Sequence, residues 1–441
     1  MTRHAGLRSL LFVLICLLSC CESLVAQAAA TRPAAGSADL QMVVVLTRHG
    51  VRSPIHAPET YNQYSAAPWA QWDVPPAYLT AHGYQLMKLF GAWDREKYSR
   101  EGLFAASGCA NAAHVSILAD NDERTRETGR ALAEGMMPGC GIVTHSQPDG
   151  AIDPLYRPLA AGISPADRAL ATAAVAGRID GDFKHLTEAY RPQLAALDRV
   201  LEGCGHQPAN PHRTSIFDIP ANLQPGSGES PFSARGPIVT ASTLAEILLL
   251  EYTQGMSDAN VGWGCVDGNT VRELMQIDTA HWEFGYRTPA VARLLASNIL
   301  EHIRRTLEQS ATGKSVPGAL GQPGDRMVIL VGHDTNIVTV AGVLGIDWVL
   351  DGRVDDSPPG GALVFELWRP RNGDEPYVRI SFVTQTLEQM RNSTPLTSAN
   401  PPAEAPVFVP ACSRADLSCS WSRFTTTVRQ AIDPEWVSKN P

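Results

Sequence analysis

The sequence predicts an α/β fold, a mainly parallel sheet with helices on both faces, plus an inserted, mainly helical cap domain. Three observations carry this reading. Two continuous apolar runs, Met42 to Leu46 and Met327 to Val331, read as strands covered on both faces, as parallel strands are. Amphipathic helical patterns stand beside such runs at both ends of the chain. The middle, residues 151–284, has a different texture, with Ala-rich helical segments around a loop full of Pro, Asn and Gly. At 441 residues and 44% hydrophobic, the chain is long enough for a large core and more than one domain. Its 18% of charged residues argues against disorder.

The elements follow in order. Residues 1–30 read as a secretory signal: basic Arg3 and Arg8, an apolar stretch from Leu10 to Leu18, then a small-residue cleavage zone at Val25 to Ala30. The apolar stretch is too short to favour a spanning helix. Leu17-Leu18-Ser19-Cys20 with Cys21 also fits a lipoprotein processing site, so a lipid anchor at Cys20 or Cys21 is the competing reading. Residues 31–38 are an Ala/Pro/Gly/Ser linker, and 39–150 form the first part of the α/β domain. There, strand Gln41 to Leu46 precedes a Pro/Tyr/Trp-rich loop, Pro58 to Tyr78. A helix is expected from near Thr80, a strand at Val115 to Ala119, and a helix through Met136 whose Thr128, Leu132 and Met136 face inward. The cap spans 151–284, with helices at Ser164 to Ala176, Tyr190 to Leu201 and Thr240 to Thr253, and the loop Gly203 to Gly236 between them. Residues 285–441 complete the α/β domain. Thr288-Pro289 opens a helix, with Thr as N-cap and Pro at the first helical position. Strands follow at Ala362 to Leu367 and Tyr377 to Val383.

The chemistry sits just after the two apolar runs, in Arg48-His49-Gly50-Val51-Arg52-Ser53-Pro54 and in Gly332-His333-Asp334. Ligands of open α/β sheets bind outside the carboxyl ends of the strands. Segments far apart in sequence thus offer two histidines, two arginines and an aspartate to one place. Guanidinium forks neutralise and orient a phosphate. An imidazole can attack phosphorus, and a carboxylic acid can protonate the leaving oxygen. Arg124 stands where a strand gives way to a helix, and helix N-termini favour anions. Arg126, two residues on, is its competitor. Asp334 is also placed to cap the following helix.

With these residues in view, the chain resembles the histidine acid phosphatases, in particular the bacterial periplasmic branch of phytases and glucose-1-phosphatases. The Arg-His-Gly-x-Arg-x-Pro and His-Asp motifs are intact, and Asp122 to Arg126, Pro358-Pro359-Gly360-Gly361 and Gln385 to Arg391 match as well. The likeness runs from about Asp39 to about Thr427 and is weakest between Asp153 and Ala234. It implies a phosphomonoester hydrolase in which His49 is the nucleophile and Asp334 the general acid. Arg48, Arg52, Arg124 and His333 bind the phosphoryl group, and Glu246 lies near the substrate. His56 is a departure: the phytase branch carries a lysine at that place for a second substrate phosphate, and histidine is only partly charged near neutrality. The resemblance also pairs Cys109 with Cys140 and Cys412 with Cys419. Cys204 and Cys265 remain either a third disulfide or buried free thiols.

Other classes fare worse. A net charge of −9 and a pI near 5.7 argue against a nucleic-acid partner. No metal or cofactor is expected: there is no His-Glu-x-x-His, no close Cys/His ligand set and no Walker-type loop, and His206 and His212 read as solvated. Six cysteines outside the signal suit an exported protein, periplasmic or secreted. The alternatives kept are a mutase that returns the phosphoryl group to its substrate and a non-catalytic periplasmic protein that binds phosphate esters. The oligomeric state is not legible.

Overall fold

The computed structural model describes residues 37–165, 167–205, 210 and 212–440. The expected signal segment, its lipidation site and His206 lie outside them. In chain order the elements are β1 (Ala38–Arg48), α1 (Ala81–Arg100), β2 (Val115–Ala119), α2 (Glu123–Met136), β3 (Thr144–His145), α3 (Arg168–Arg178), α4 (Phe183–Ala189) and α5 (Arg191–Leu201). Next come β4 (Asn222–Pro225), β5 (Phe232–Arg235), α6 (Pro237–Thr253), α7 (Gly268–Phe284), α8 (Pro289–Thr312), β6 (Met327–Gly332) and α9 (Asp334–Leu344). The chain closes with β7 (Val349–Leu350), β8 (Arg353–Val354), β9 (Ala362–Pro370), β10 (Tyr377–Thr384), α10 (Leu387–Arg391), β11 (Ala403–Pro406), β12 (Cys419–Ser420) and α11 (Trp421–Ala431).

The main sheet has the order β11-β10-β9-β1-β6-β2-β3, with β12 pairing β10. The strands β1, β6, β2 and β3 pair in parallel, while β9 to β12 join antiparallel. The alternation of side chains along β1 builds two cores. Met42, Val44 and Leu46 pack on the face covered by α8, α9 and α11, through Ile299, Ile303, Ile337 and Phe424. Val43 and Val45 pack on the opposite face, against Met87 and Phe90 of α1 and Leu132 of α2. Because both faces are covered, β1 and β6 read as unbroken apolar runs. Each such side chain contributes about 1.5–3 kcal/mol by leaving water.

A third core binds the helical middle of the chain. Leu194, Leu197 and Leu201 of α5, Leu244, Leu248 and Leu249 of α6, and Val271, Leu274 and Met275 of α7 share it. The expected helix at Ser164 starts later, at Arg168, because Asp167 caps it by accepting from the Leu170 N–H. The loop Gly203 to Gly236 holds a hairpin, β4–β5, whose tip is the segment between Pro225 and Phe232. Disulfides join Cys109–Cys140, Cys204–Cys265 and Cys412–Cys419. The free-thiol alternative for Cys204 and Cys265 is therefore set aside, and Cys204 is exposed rather than buried.

Candidate active site

The register of three parallel strands assembles the site. Arg48 pairs with Gly332, and Ala119 with Val331, so β1, β6 and β2 end at one level. The ladder runs one step further: the His49 N–H donates to the Gly332 carbonyl (3.0 Å) and the Asp120 N–H to the Val331 carbonyl (3.0 Å). His49, His333 and Asp120 therefore emerge side by side at the carboxyl ends, with the two imidazole rings 5.7 Å apart. Glycines make this approach possible. A Cβ on Gly332 would lie 2.5 Å from Asn336 Oδ1, the oxygen that accepts the His333 N–H and caps α9. One on Gly50 would lie 2.8 Å from Met87 Cγ. The Pro358 to Gly361 segment brackets the backbone of Arg48 and His49: Gly360 N–H donates to the His49 carbonyl, and Arg48 N–H to the Gly361 carbonyl (both 2.9 Å).

His49 is 2% exposed. Its Nδ1 lies 2.9 Å from the Gly50 carbonyl, which can only accept, so Nδ1 carries the proton and the Nε2 lone pair is left free. Burial holds the imidazole far below its usual pKa, and the charges of Arg124, Arg48, Arg52 and His333 push it further down. The imidazole is thereby kept neutral.

Arg48 is wholly buried and donates through Nη1 to the Ser357 carbonyl (2.6 Å). Its Nη2 meets Glu246 and lies 3.0 Å from Asp334 Oδ2. Arg52 Nη2 donates to the same Glu246 oxygen at 2.9 Å. Glu246 is set on α6 one turn after Ser242, which donates to Asp278 of α7 (2.6 Å) and ties the two helices. Arg124, at the start of α2, pairs with Asp122 (2.8 Å), and its Nη2 lies 3.4 Å from His333 Nδ1. Arg126 turns away to Asp149 on the surface. The Nε groups of Arg48, Arg52 and Arg124 are buried and find no hydrogen-bond partner among the described residues.

His333 caps α9 and is aimed from behind by Asp120, whose Oδ2 lies 2.7 Å from His333 Nε2. Burial pushes the Asp120 carboxyl up, but the His333 hydrogen bond and charge and the Arg157 charge outweigh it and hold it at about 2. Asp334 is the first residue of α9. Burial pushes its carboxyl up, while Arg48, His333 and Arg52 overcome that and hold it below the usual carboxylate range. Tyr286, pushed up to about 12 by burial and then by Asp334 and Glu229, shares the cavity with Asp334.

The cavity has about 230 Å³ and is lined by His49, Arg52, Arg124, His333, Asp334 and, unforeseen, Arg157. The structure thus brings together Arg48, His49, Arg52, Arg124, Glu246, His333 and Asp334. It does not bring His56 with them. His56 is exposed and lines a second cavity of about 880 Å³ with Tyr61, Arg235 and Thr243. Asp120 and Arg157 were not singled out from the sequence, and Asp122 entered only within the matching segment Asp122 to Arg126. The readable signal for the two aspartates was their place directly after the strand Val115 to Ala119. Asp120, Asp122 and His333 offer ligand atoms within 4.8 Å of one another, but guanidinium groups of Arg157 and Arg124 already engage both carboxylates.

A neutral imidazole among buried guanidinium groups, with a carboxyl group on the same wall, is the setting of the class that the comparisons show: a histidine acid phosphatase, an enzyme that hydrolyses phosphate esters. The chain belongs to the histidine phosphatase superfamily (branch 2), whose family model matches residues 39–182 and 239–383. It is 34% identical to phytase AppA of Escherichia coli (strain K12) over 410 residues, 90% of this chain and 92% of that protein. It is 27% identical to a glucose-1-phosphatase of Salmonella typhimurium over 404 residues, 89% of this chain and 92% of the relative. Among solved structures, the apo form of Hafnia alvei phytase superposes with a TM-score of 0.84 at 33% identity, covering 92% of this chain and 99% of the other. No helix among the described residues is long and apolar enough to cross a membrane.

Proposed function

We propose that this acid phosphatase hydrolyses phosphomonoesters, phytate and sugar phosphates among them, in two steps through a phosphohistidine on His49. The observation that carries the reading is His49 itself: a buried, neutral imidazole with a free Nε2, facing three guanidinium groups that have unpaired donors. Arg48, Arg52 and Arg124 hold the phosphoryl oxygens, which take the place now filled by the Glu246 carboxylate. His333, aimed by Asp120, lends its Nδ1 to the same group. Nε2 of His49 attacks phosphorus as the P–O bond to the leaving group breaks, and the Asp334 carboxyl gives its proton to the departing oxygen. Asp334, now ionised, takes a proton from water, which attacks the phosphohistidine and frees inorganic phosphate and His49. The helices of residues 151–284 act as a cap, forming the wall of the cleft that carries Glu246. Three disulfides support an exported protein, periplasmic or secreted.

The charge balance predicts an acid-favoured enzyme. In the free site Arg48 keeps Asp334 ionised; a bound phosphate engages the arginines and adds negative charge beside Asp334, raising its pKa. The fraction of complexes with a protonated Asp334 then grows as pH falls, while His49 remains neutral. Release of inorganic phosphate from phytate, glucose 1-phosphate and p-nitrophenyl phosphate, followed across pH 4 to 8, tests this. Repeated turnover that rises toward acid is expected. Binding without release would leave a phosphate-ester-binding protein, and transfer to a second alcohol without release would leave a mutase.

A further inference from the structure

The guanidinium of Arg157 is fixed along one edge and open along the other. Its Nε donates to Asp120 Oδ2 (2.9 Å) and its Nη2 to Asp122 Oδ2 (2.7 Å). That edge is held by two carboxylates, one of them fully buried. Arg157 lines the cavity, and among the described residues its Nη1 pairs with Glu229, as an ion pair at 3.5 Å. Arg124 donates to the same Asp122 oxygen (2.8 Å), so the Arg157 and Arg124 guanidinium groups stand side by side.

Glu229 is delivered on purpose-built backbone. It lies at the tip of the β4–β5 hairpin, in the stretch 183–238 that the family model leaves unmatched. Arg168 pins the tip on either side of it, donating to the Gly228 carbonyl (2.7 Å) and the Ser230 carbonyl (3.4 Å). The Ser230 N–H closes a turn on the Ser227 carbonyl (3.0 Å), and Gly228 takes the left-handed conformation the turn needs. Glu229 and Ser230 both line the cavity.

Two carboxylates therefore sit on guanidinium groups at this site: Glu246 on Arg48 and on Arg52, and Glu229 on Arg157, with Arg52, Arg157 and Glu229 lining the one cavity. The first stands where the reacting phosphate binds. We infer that the second marks a site for another anionic group: Arg157 binds a second phosphate, on the carbon next to the ester carbon of the substrate, in exchange for Glu229. The pair then sets selectivity for vicinally phosphorylated substrates over simple monoesters. Arg157 supplies a preorganised donor edge, because its other edge has already lost its freedom to Asp120 and Asp122. Glu229 keeps that edge neutralised until a stronger anion arrives. This inference rests on the proposed hydrolysis at His49.

The test compares phytate, whose phosphates are vicinal, with p-nitrophenyl phosphate, which has one. The readout is the ratio of their kcat/KM values, with kcat and KM resolved. Glu229→Gln removes the competing charge while touching neither Asp120 nor His333. It is expected to raise the ratio about threefold, the scale of an exposed ion pair, through a lower KM for phytate. Arg157→Gln is expected to lower the ratio by about tenfold or more, the scale of a charged hydrogen bond, and Arg157→Lys to restore part of it. Were Arg157 only a prop for Asp120, its variants would lose kcat on both substrates alike and leave the ratio unmoved. That result, or a Glu229→Gln enzyme whose KM falls equally for both, overturns the inference. Absence of turnover of p-nitrophenyl phosphate by the unmodified enzyme would instead overturn the proposed function.

Discussion

His49→Ala is expected to abolish turnover, with a loss of at least about 10⁴-fold in kcat, while phosphate still binds. The loss is large because His333, the neighbouring imidazole of the site, is already committed. His333 is tied to Asp120 through Nε2, and its Nδ1, 3.4 Å from Arg124 Nη2, is given over to binding the phosphoryl group, and removal of a covalent nucleophile forfeits the whole two-step route. Binding survives because Arg48, Arg52 and Arg124 are held by partners other than His49: Ser357 and Glu246, Ser53, and Asp122. Calorimetric titration with inorganic phosphate, alongside single-turnover kinetics, checks both halves. A variant that keeps substantial turnover would remove His49 from the chemistry. One that loses both turnover and phosphate binding would point to collapse of the site.

Asp334→Asn is expected to slow alkyl esters by about 10²–10⁴-fold, the range for general-acid catalysis, and aryl esters far less. The proton matters most where the departing oxygen is most basic. The amide keeps the shape and helix position of Asp334 but has no proton to give. It also removes the negative charge 3.0 Å from Arg48, so phosphate affinity should rise. The acid-favoured pH profile on glucose 1-phosphate should flatten in this variant, since the group that gains its proton as pH falls is gone. Equal losses on glucose 1-phosphate and p-nitrophenyl phosphate would show that Asp334 is not the acid.

What could be read from the sequence follows its physical scale. The strands β1 and β6 were legible because burial on both faces leaves a run such as Val43-Val44-Val45-Leu46 with no polar interruption. The residues directly after them were legible because strand ends in this fold face the ligand. Glu246 entered through the family resemblance, and α6 carries it to Arg48 and Arg52. Asp120 was passed over because its meaning lies in a hydrogen bond to a residue 213 positions away. Arg157 was passed over for the same reason, its partners being on β2's end and on a hairpin tip. That hairpin, β4–β5, was read as loop, since its apolar side is marked by little more than Leu223, Phe232 and the small Ala234. The helix α7 carried usable signals that were not taken up: Asp267 caps it by accepting from the Thr270 N–H (2.8 Å), and Val271, Leu274, Met275 and Asp278 lie on one inward face. The pairing of Cys204 with Cys265 depends on how the α5 end meets the loop before α7, which spacing alone does not reveal. His56 shows the opposite case: adjacency to a complete motif suggested a place in the pocket, yet the chain turns after Ile55 and delivers His56 to the neighbouring cavity.

The central claim is a phosphoryl group carried covalently by His49, and rapid quenching of turnover with a ³²P-labelled monoester tests it most directly. The account predicts protein-bound label that survives alkali and is lost in acid, as a phosphohistidine is, that maps to the peptide containing Arg48-His49-Gly50, and that is absent from His49→Ala. Label that survives acid and is lost in alkali would mean an acyl phosphate on a carboxylate, and would contradict the account.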